Sequence, residues 1–350
     1  MKRILFVCGY DDAWTQVSEG IKPSQHMFGL NEMIDRYTVD QNGDLHGHIN
    51  AGNLFEDSCE VDFYEWKSIK KDVLKHISFF IKNRKKYDII YDCLNRCSIW
   101  VGAFRKLNII KAKIITMCHH PSYFIALNFS FSDAYVFFNE EYRKIAEKEC
   151  KRKVNKFYVN EWYPENSWYK PFLEKSISKG DVFFIDNGKT ERDRIALQKS
   201  CEDLKIVVNY PGEVDENNGY FQSYKTNFST YTEMTEKLLR YYSLIVPVKK
   251  FNKKKIGPLG ITSFLDAVAL CMPIIASDNT CFSGDVEKHQ LGIVYKTGDA
   301  ESLKKAMQKM HDDELFYKDC VHNLENYKKT RDISVFSEKL KSIMKDVMSC

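Results

Sequence analysis

A chain of 350 residues with 44% hydrophobic and 29% charged residues is too apolar to be disordered and has room for two domains of about 150–200 residues each. A net charge of only +4 excludes a surface devoted to nucleic acid. Eleven cysteines, an odd number with no C-x-x-C pair and mostly inside apolar runs (Cys8, Cys118, Cys271), exclude a disulfide framework and a zinc site and indicate a reducing cytoplasm.

The first apolar run, "ILFVC" at 4–8, ends at Asp11-Asp12, so it is too short for a signal peptide core or a membrane span and predicts a buried strand. Similar blocks follow at 88–91, 114–118 and 134–138, with helical patterns near 25–36, 68–84 and 95–107 between them. That alternation predicts an α/β domain with a parallel sheet covered on both faces. Residues 39–58 are polar and rich in Gly and Asn, which predicts a loop.

The stretch 67–86 holds eight Lys/Arg against the single acid Asp72. Ile69, Val73, Ile77, Phe80 and Ile81 share one helical face, expected to pack on the sheet. The other face would present Lys67, Lys70, Lys71, Lys75, Lys82, Arg84, Lys85 and Lys86 to anionic lipid headgroups, at about 1 kcal/mol per basic residue. A solvated helix face is the other reading of the same pattern. The lipid reading sets an expected localisation in the cytoplasm, at the inner face of the cell membrane.

"NEWYPENSWYKPF" at 160–172 reads as an interdomain connection, after which a second series begins. It predicts strands at 182–185, 205–209, 243–248 and 293–295, and helices at 191–203, 231–241, 301–312, 314–328 and 334–348. The last helix aligns Phe336, Leu340, Ile343, Met344 and Val347 on one face.

Within that series, "IGPLGITSFLDAVALCMPIIASDN" at 256–279 is a glycine turn, a helix and a strand. Gly257 and Gly260 allow close backbone approach, and a helix beginning near Thr262 points its free N–H groups at the turn, which suits an anion such as a diphosphate. Asp266 lies about one turn further, within reach of a vicinal diol such as a ribose. A tight turn with an N-cap explains the same residues without any ligand.

The stretch 257–276 resembles the donor motif of the retaining glycosyltransferases of GT-B fold, the large family that includes sucrose synthases and bacterial polysaccharide enzymes. The family writes G-(F/L)-G-L-x-x-L-E-A-M-A-x-G-x-P-V-(I/V)-A, and this chain reads GPLGITSFLDAVALCMPIIA. Asp266 stands at the family's second Glu and Pro258 at its first. "FFIDNGKTERDRIALQKSC" at 183–201 is similar to a basic loop of the same family, with Lys189 and Arg192 as the matching cations. Arg offers phosphate a bidentate fork and Lys a point charge. "GIVYKTGDAESLKKAMQKM" at 292–310 resembles the closing strand and helix.

The resemblance implies a GT-B architecture, two Rossmann-like parallel-sheet domains facing across a cleft. The expected bounds are 1–165 for an acceptor-side domain, 166–330 for a donor-binding domain, and 331–350 for a C-terminal helix packing back on the first. It also implies a hexosyl transfer from a UDP- or GDP-linked sugar to a polysaccharide or lipid-linked glycan, with retention and with no cofactor or metal. Donor contacts would come from Gly20, Gly188, Gly257, Leu259, Gly260 and Ile261, with Thr262, Ser263 and Asp266 completing the helix end. His119 would act near the reacting centre together with Lys189 and Arg192, with His120 beside the donor. Ser24, Gln25 and His26 would line the acceptor side. The leaving diphosphate would itself take the acceptor's proton, so no carboxylate pair is required. Two alternatives stand: a catalytically silent GT-B partner that binds nucleotide, which Pro258 favours, and a sugar-nucleotide 2-epimerase.

Overall fold

The computed structural model describes residues 1–9, 12–66, 72–93, 95, 98–119, 131–149, 157–175, 177–212, 219–225, 230–250 and 259–349. Two compact units result, one of Met1–Tyr163 with Ile333–Cys350, the other of Pro164–Lys253 with Pro258–Asp332.

In the first unit, strand β1 (Lys2–Cys8) leads to helix α1 (Ala13–Ser18) and then to strands β2 (Arg36–Val39), β3 (Leu45–Ile49) and β4 (Cys59–Glu65). Helix α2 (Val73–Lys82), strand β5 (Ile89–Asp92), helix α3 (Ser98–Lys106) and strands β6 (Lys113–Met117) and β7 (Ala134–Phe137) follow. Helix α4 (Glu140–Glu149) and strand β8 (Phe157–Val159) complete the series before the chain enters the second unit. The sheet order is β2-β3-β4-β1-β5-β6-β7-β8, parallel from β4 to β8. Ile4, Leu5, Phe6 and Val7 are fully buried, as a strand covered on both faces demands.

Three features of this unit differ from the sequence expectation. The polar stretch within 39–58 is no plain loop: β2 and β3 form an antiparallel hairpin on the sheet edge, register Arg36↔His48. An edge strand needs no apolar run, so its pattern is faint. The expected helix over 25–36 is two 3-10 turns, Ser24–Met27 and Asn31–Met33, because Phe28 and Gly29 take left-handed backbone angles between them. The basic helix is shorter than expected and rotated. It buries His76 and Phe80, while Ile81 is 36% exposed and Leu74 is 82% exposed. Aromatic packing sets the rotation, with Trp66 stacked on His76 at 4.3 Å and Tyr64 on Phe79 at 3.9 Å. Lys67, Lys70 and Lys71 lie outside the described residues.

The second unit opens with helix α5 (Asn166–Glu174), inside the stretch expected to be a connection, and strand β9 (Phe184–Ile185). Helix α6 (Arg194–Leu204), strands β10 (Val208–Gly212) and β11 (Phe221–Lys225), helix α7 (Tyr231–Leu238) and strand β12 (Ser243–Val246) come next. Then follow helix α8 (Ile261–Ala269), strand β13 (Ile274–Ser277), helix α9 (Ser283–Lys288), strand β14 (Gly292–Tyr295) and helices α10 (Ala300–Asp312) and α11 (Glu314–Lys328). The order β11-β10-β9-β12-β13-β14 is parallel throughout.

Helix α12 (Ile333–Ser349) belongs to the first unit. Phe336, Leu340, Ile343, Met344 and Val347 are buried. Ser337 donates to the Gly29 carbonyl at 2.8 Å, and the Phe336 carbonyl accepts from Asn160 at 2.9 Å. Gly29 is needed here. Its φ is 76°, and a Cβ there would sit 2.7 Å from the Phe336 ring.

Candidate functional site

In the second unit, the loop after β9 and the first turns of α8 converge. Asp186 follows the buried strand and is itself fully buried. Its carboxylate accepts from the Gly188 backbone N–H at 2.8 Å and from Arg192 Nε at 3.2 Å. It also meets Arg194 in an ion pair at 2.9 Å. Two guanidinium groups thus share one buried carboxylate, a local surplus of one positive charge.

Arg192 is held on every side. Beyond Asp186, it donates to Ser263 Oγ on α8 at 3.2 Å and to the Thr190 carbonyl at 3.2 Å. Three of its five N–H groups are thereby engaged by described residues. Its side chain is only 4% exposed. Gly188 makes this possible, since a Cβ at that position would overlap the Arg192 guanidinium. Arg194 lies 4.6 Å over the Tyr210 ring and donates to the Gly188 carbonyl at 2.7 Å. Burial lowers its pKa from the ordinary value, with Asp186 opposing that shift. Lys189, next in the loop, is exposed.

Gly260 caps α8 with a φ of 79°, and a Cβ there would meet Val246 of β12 at 2.5 Å. Glycine therefore lets the turn lie close against the strand end. Ile261, Ser263 and Asp266 are buried because α8 is enclosed on all sides, with Phe264 stacked on Phe282 at 4.5 Å. Asp266 Oδ1 accepts from Tyr169 Oη at 2.8 Å and Tyr231 Oη at 2.6 Å, and Oδ2 accepts from Asn187 at 3.2 Å. Burial raises its pKa to about 6, against the three hydrogen bonds that favour the anion.

No family model matches the chain, and no curated protein matches it in sequence. In three dimensions it is similar to a glycosyltransferase from Rickettsia africae ESF-5, at 14% identity and a TM-score of 0.66, over 99% of this chain and 98% of that one. It is similar to the sucrose-phosphate synthase of Thermosynechococcus elongatus at 9% identity and a TM-score of 0.67, over 100% of both chains. Anabaena HepE, solved in complex with UDP, matches at 10% identity and a TM-score of 0.63, over 99% of this chain and 100% of that one. The chain has the GT-B fold.

Within this GT-B chain, Gly188, Arg192, Ser263 and Asp266 gather around one buried corner of the second unit, with Gly260, Ile261 and Thr262 on the adjoining turn and Leu259 just before it. Gly257 lies outside the described residues, as does His120. The first unit holds the rest. His119 is buried at the end of β6, edge-on to Phe28, Phe138 and Trp162 at 5.6–5.7 Å. His26 is buried against Trp162, and burial, Lys22 and His119 together push its pKa well below the ordinary value. Gln25 accepts from Trp162 Nε1 through its carbonyl at 3.0 Å, and Ser24 donates to Glu32 at 2.7 Å. Gly20 is exposed, with a φ of 71°.

Sequence reasoning missed Asp186, Asn187, Arg194, Tyr169 and Tyr231. Asp186 had a usable signal, a lone acid directly after the buried strand in "FFIDNG". The two tyrosines had none, lying 97 and 35 positions from Asp266.

Proposed function

We propose that this protein transfers a hexosyl group from a nucleoside-diphosphate sugar to a polysaccharide or lipid-linked glycan at the inner face of the cell membrane, with retention. The carrying observation is the surplus positive charge where Arg192 and Arg194 share Asp186 beside the first turn of α8. The pyrophosphate would rest against that turn, and Lys189 would add a mobile cation from solvent. As the glycosidic bond breaks, charge builds on the leaving diphosphate, and preorganised donors there commonly contribute about 3–4 kcal/mol each. Uridine is the base we assign, in line with the HepE structures solved with UDP and with UDP-glucose.

Calorimetric titration with UDP and UDP-glucose, alongside release of UDP from UDP-glucose, tests the reading. Binding that weakens in Arg192→Lys and Lys189→Ala is the expected result. Equal affinity in both variants and the parent would refute it. One observation favours a second reading, a silent nucleotide-binding partner: protein donors already occupy both Asp266 oxygens. Tight UDP binding without sugar release would select it.

A further inference from the structure

We propose that the first unit carries a docking surface for an anionic phospholipid bilayer, formed by the two loops that leave α2 and α3. It carries forward the membrane setting proposed for the acceptor, yet it stands on the surface of the first unit alone. The loops at 83–88 and 107–112 precede β5 and β6, so they share the amino edge of the sheet, away from the strand ends where open α/β sheets bind ligands. They are joined directly, Lys111 N donating to the Arg84 carbonyl at 3.5 Å. Beneath them, Ile110, Tyr87 and Phe80 belong to one core cluster and fix both loops.

The two loops are strongly basic, and Asp88, the acid that ends the first, accepts from the Arg3 backbone N–H at 2.8 Å. No acid occurs in 82–87 or 105–112. Lys86 is spent on Asp62 at 2.5 Å and Arg105 on Asp133 at 3.2 Å. Lys82, Arg84, Lys85, Lys106 and Lys111 are exposed and pair with no carboxylate among the described residues. Arg84 is braced by a bond to the Ile81 carbonyl at 3.1 Å, and Lys111 by one to Asn108 at 2.7 Å.

Apolar side chains stand among these cations. Leu107 is 69% exposed, Ile109 37% and Ile81 36%, while Ile110 is buried in the core cluster below. A soluble polyanion would satisfy the five charges and leave the three apolar side chains in water. A bilayer with anionic headgroups satisfies both, because each cation near its surface gains attraction while Leu107 and Ile109 enter the interface.

Co-sedimentation of the full chain with vesicles of equal parts phosphatidylglycerol and phosphatidylcholine provides the test, with pure phosphatidylcholine vesicles as reference. The expected result is pelleting with the anionic vesicles that weakens as salt is raised. Each cation near the surface is worth about fivefold in partitioning, so Lys85→Gln/Lys106→Gln/Lys111→Gln should bind on the order of a hundredfold more weakly. Leu107→Ser, at a position exposed in the fold, should also lose binding at fixed salt. UDP affinity measured in parallel should be unchanged in both variants, so the outcome is separate from that of the transfer reaction. A parent chain that stays in the supernatant, a triple variant that pellets like the parent, or capture by soluble polyglutamate without vesicle binding would each overturn the proposal.

Discussion

Asp266→Asn should change the way the second unit's stability depends on pH. The buried carboxyl has its pKa raised from 3.8 to about 6. Folded Asp266 therefore keeps a proton that the unfolded chain has already released, and the stability this adds is complete below 3.8 and lost as pH rises through about 6. From about pH 5 to pH 7 the loss is about 1.3 kcal/mol, since the full slope of about 1.4 kcal/mol per pH unit tapers near the folded pKa. For a domain of this size that is about 3–5 °C in melting temperature. His26 acts in the opposite sense, because its depressed pKa costs stability as pH falls. Melting curves of parent and variant at both pH values isolate Asp266, every other group being common to the pair. The parent should lose those degrees relative to Asp266→Asn on going to pH 7. Parallel shifts in the two proteins would refute the reasoning. Tyr231→Phe, which removes a donor to the anion, should move the transition to higher pH.

Gly188→Ala should push the Arg192 guanidinium off Asp186 and Ser263, weakening UDP binding by about tenfold to a hundredfold if one charge-assisted bond is lost, as titration would read. Lys189→Ala, at an exposed position, should leave melting unchanged and reduce the salt dependence of UDP affinity. Phe336→Ala should cost about 3–5 kcal/mol in urea unfolding, because a fully buried ring leaves a cavity against Gly29.

Strands buried on both faces were legible in the sequence, since a run such as Ile4–Val7 has no other use for four consecutive apolar residues. Helix α12 was legible for the complementary reason, one apolar stripe at helical spacing. The hairpin of β2 and β3 was hidden, because "RYTV" is a largely exposed edge and "LHGHI", between it and β4, carries two histidines and a glycine in place of an apolar run. Strand β11 was hidden likewise, because "FQSYK" sets two polar residues between Phe221 and Tyr224 and so lacks the period-2 signal of a strand. Around the candidate site, sequence order carries Gly188 with Arg192 and Gly260 with Asp266, pairs only a few positions apart. It cannot carry the meeting of Arg192 with Ser263, which depends on β9 and β12 lying side by side, or of Asp266 with Tyr169, which depends on α5 reaching α8. Nor could residue type reveal that Asp266 is enclosed, since an acid on a helix is usually in water.

Placing α12 in the first unit has a consequence for biosynthesis. Gly29 and Asn160 find their partners only when Phe336 and Ser337 have been made. On the ribosome, the second unit's sheet and helices, complete by residue 332, are all synthesised before the first unit can close. A nascent chain halted short of that helix would leave the surface beside Gly29 without the Phe336 ring that covers it, inviting chaperones until the final turns emerge.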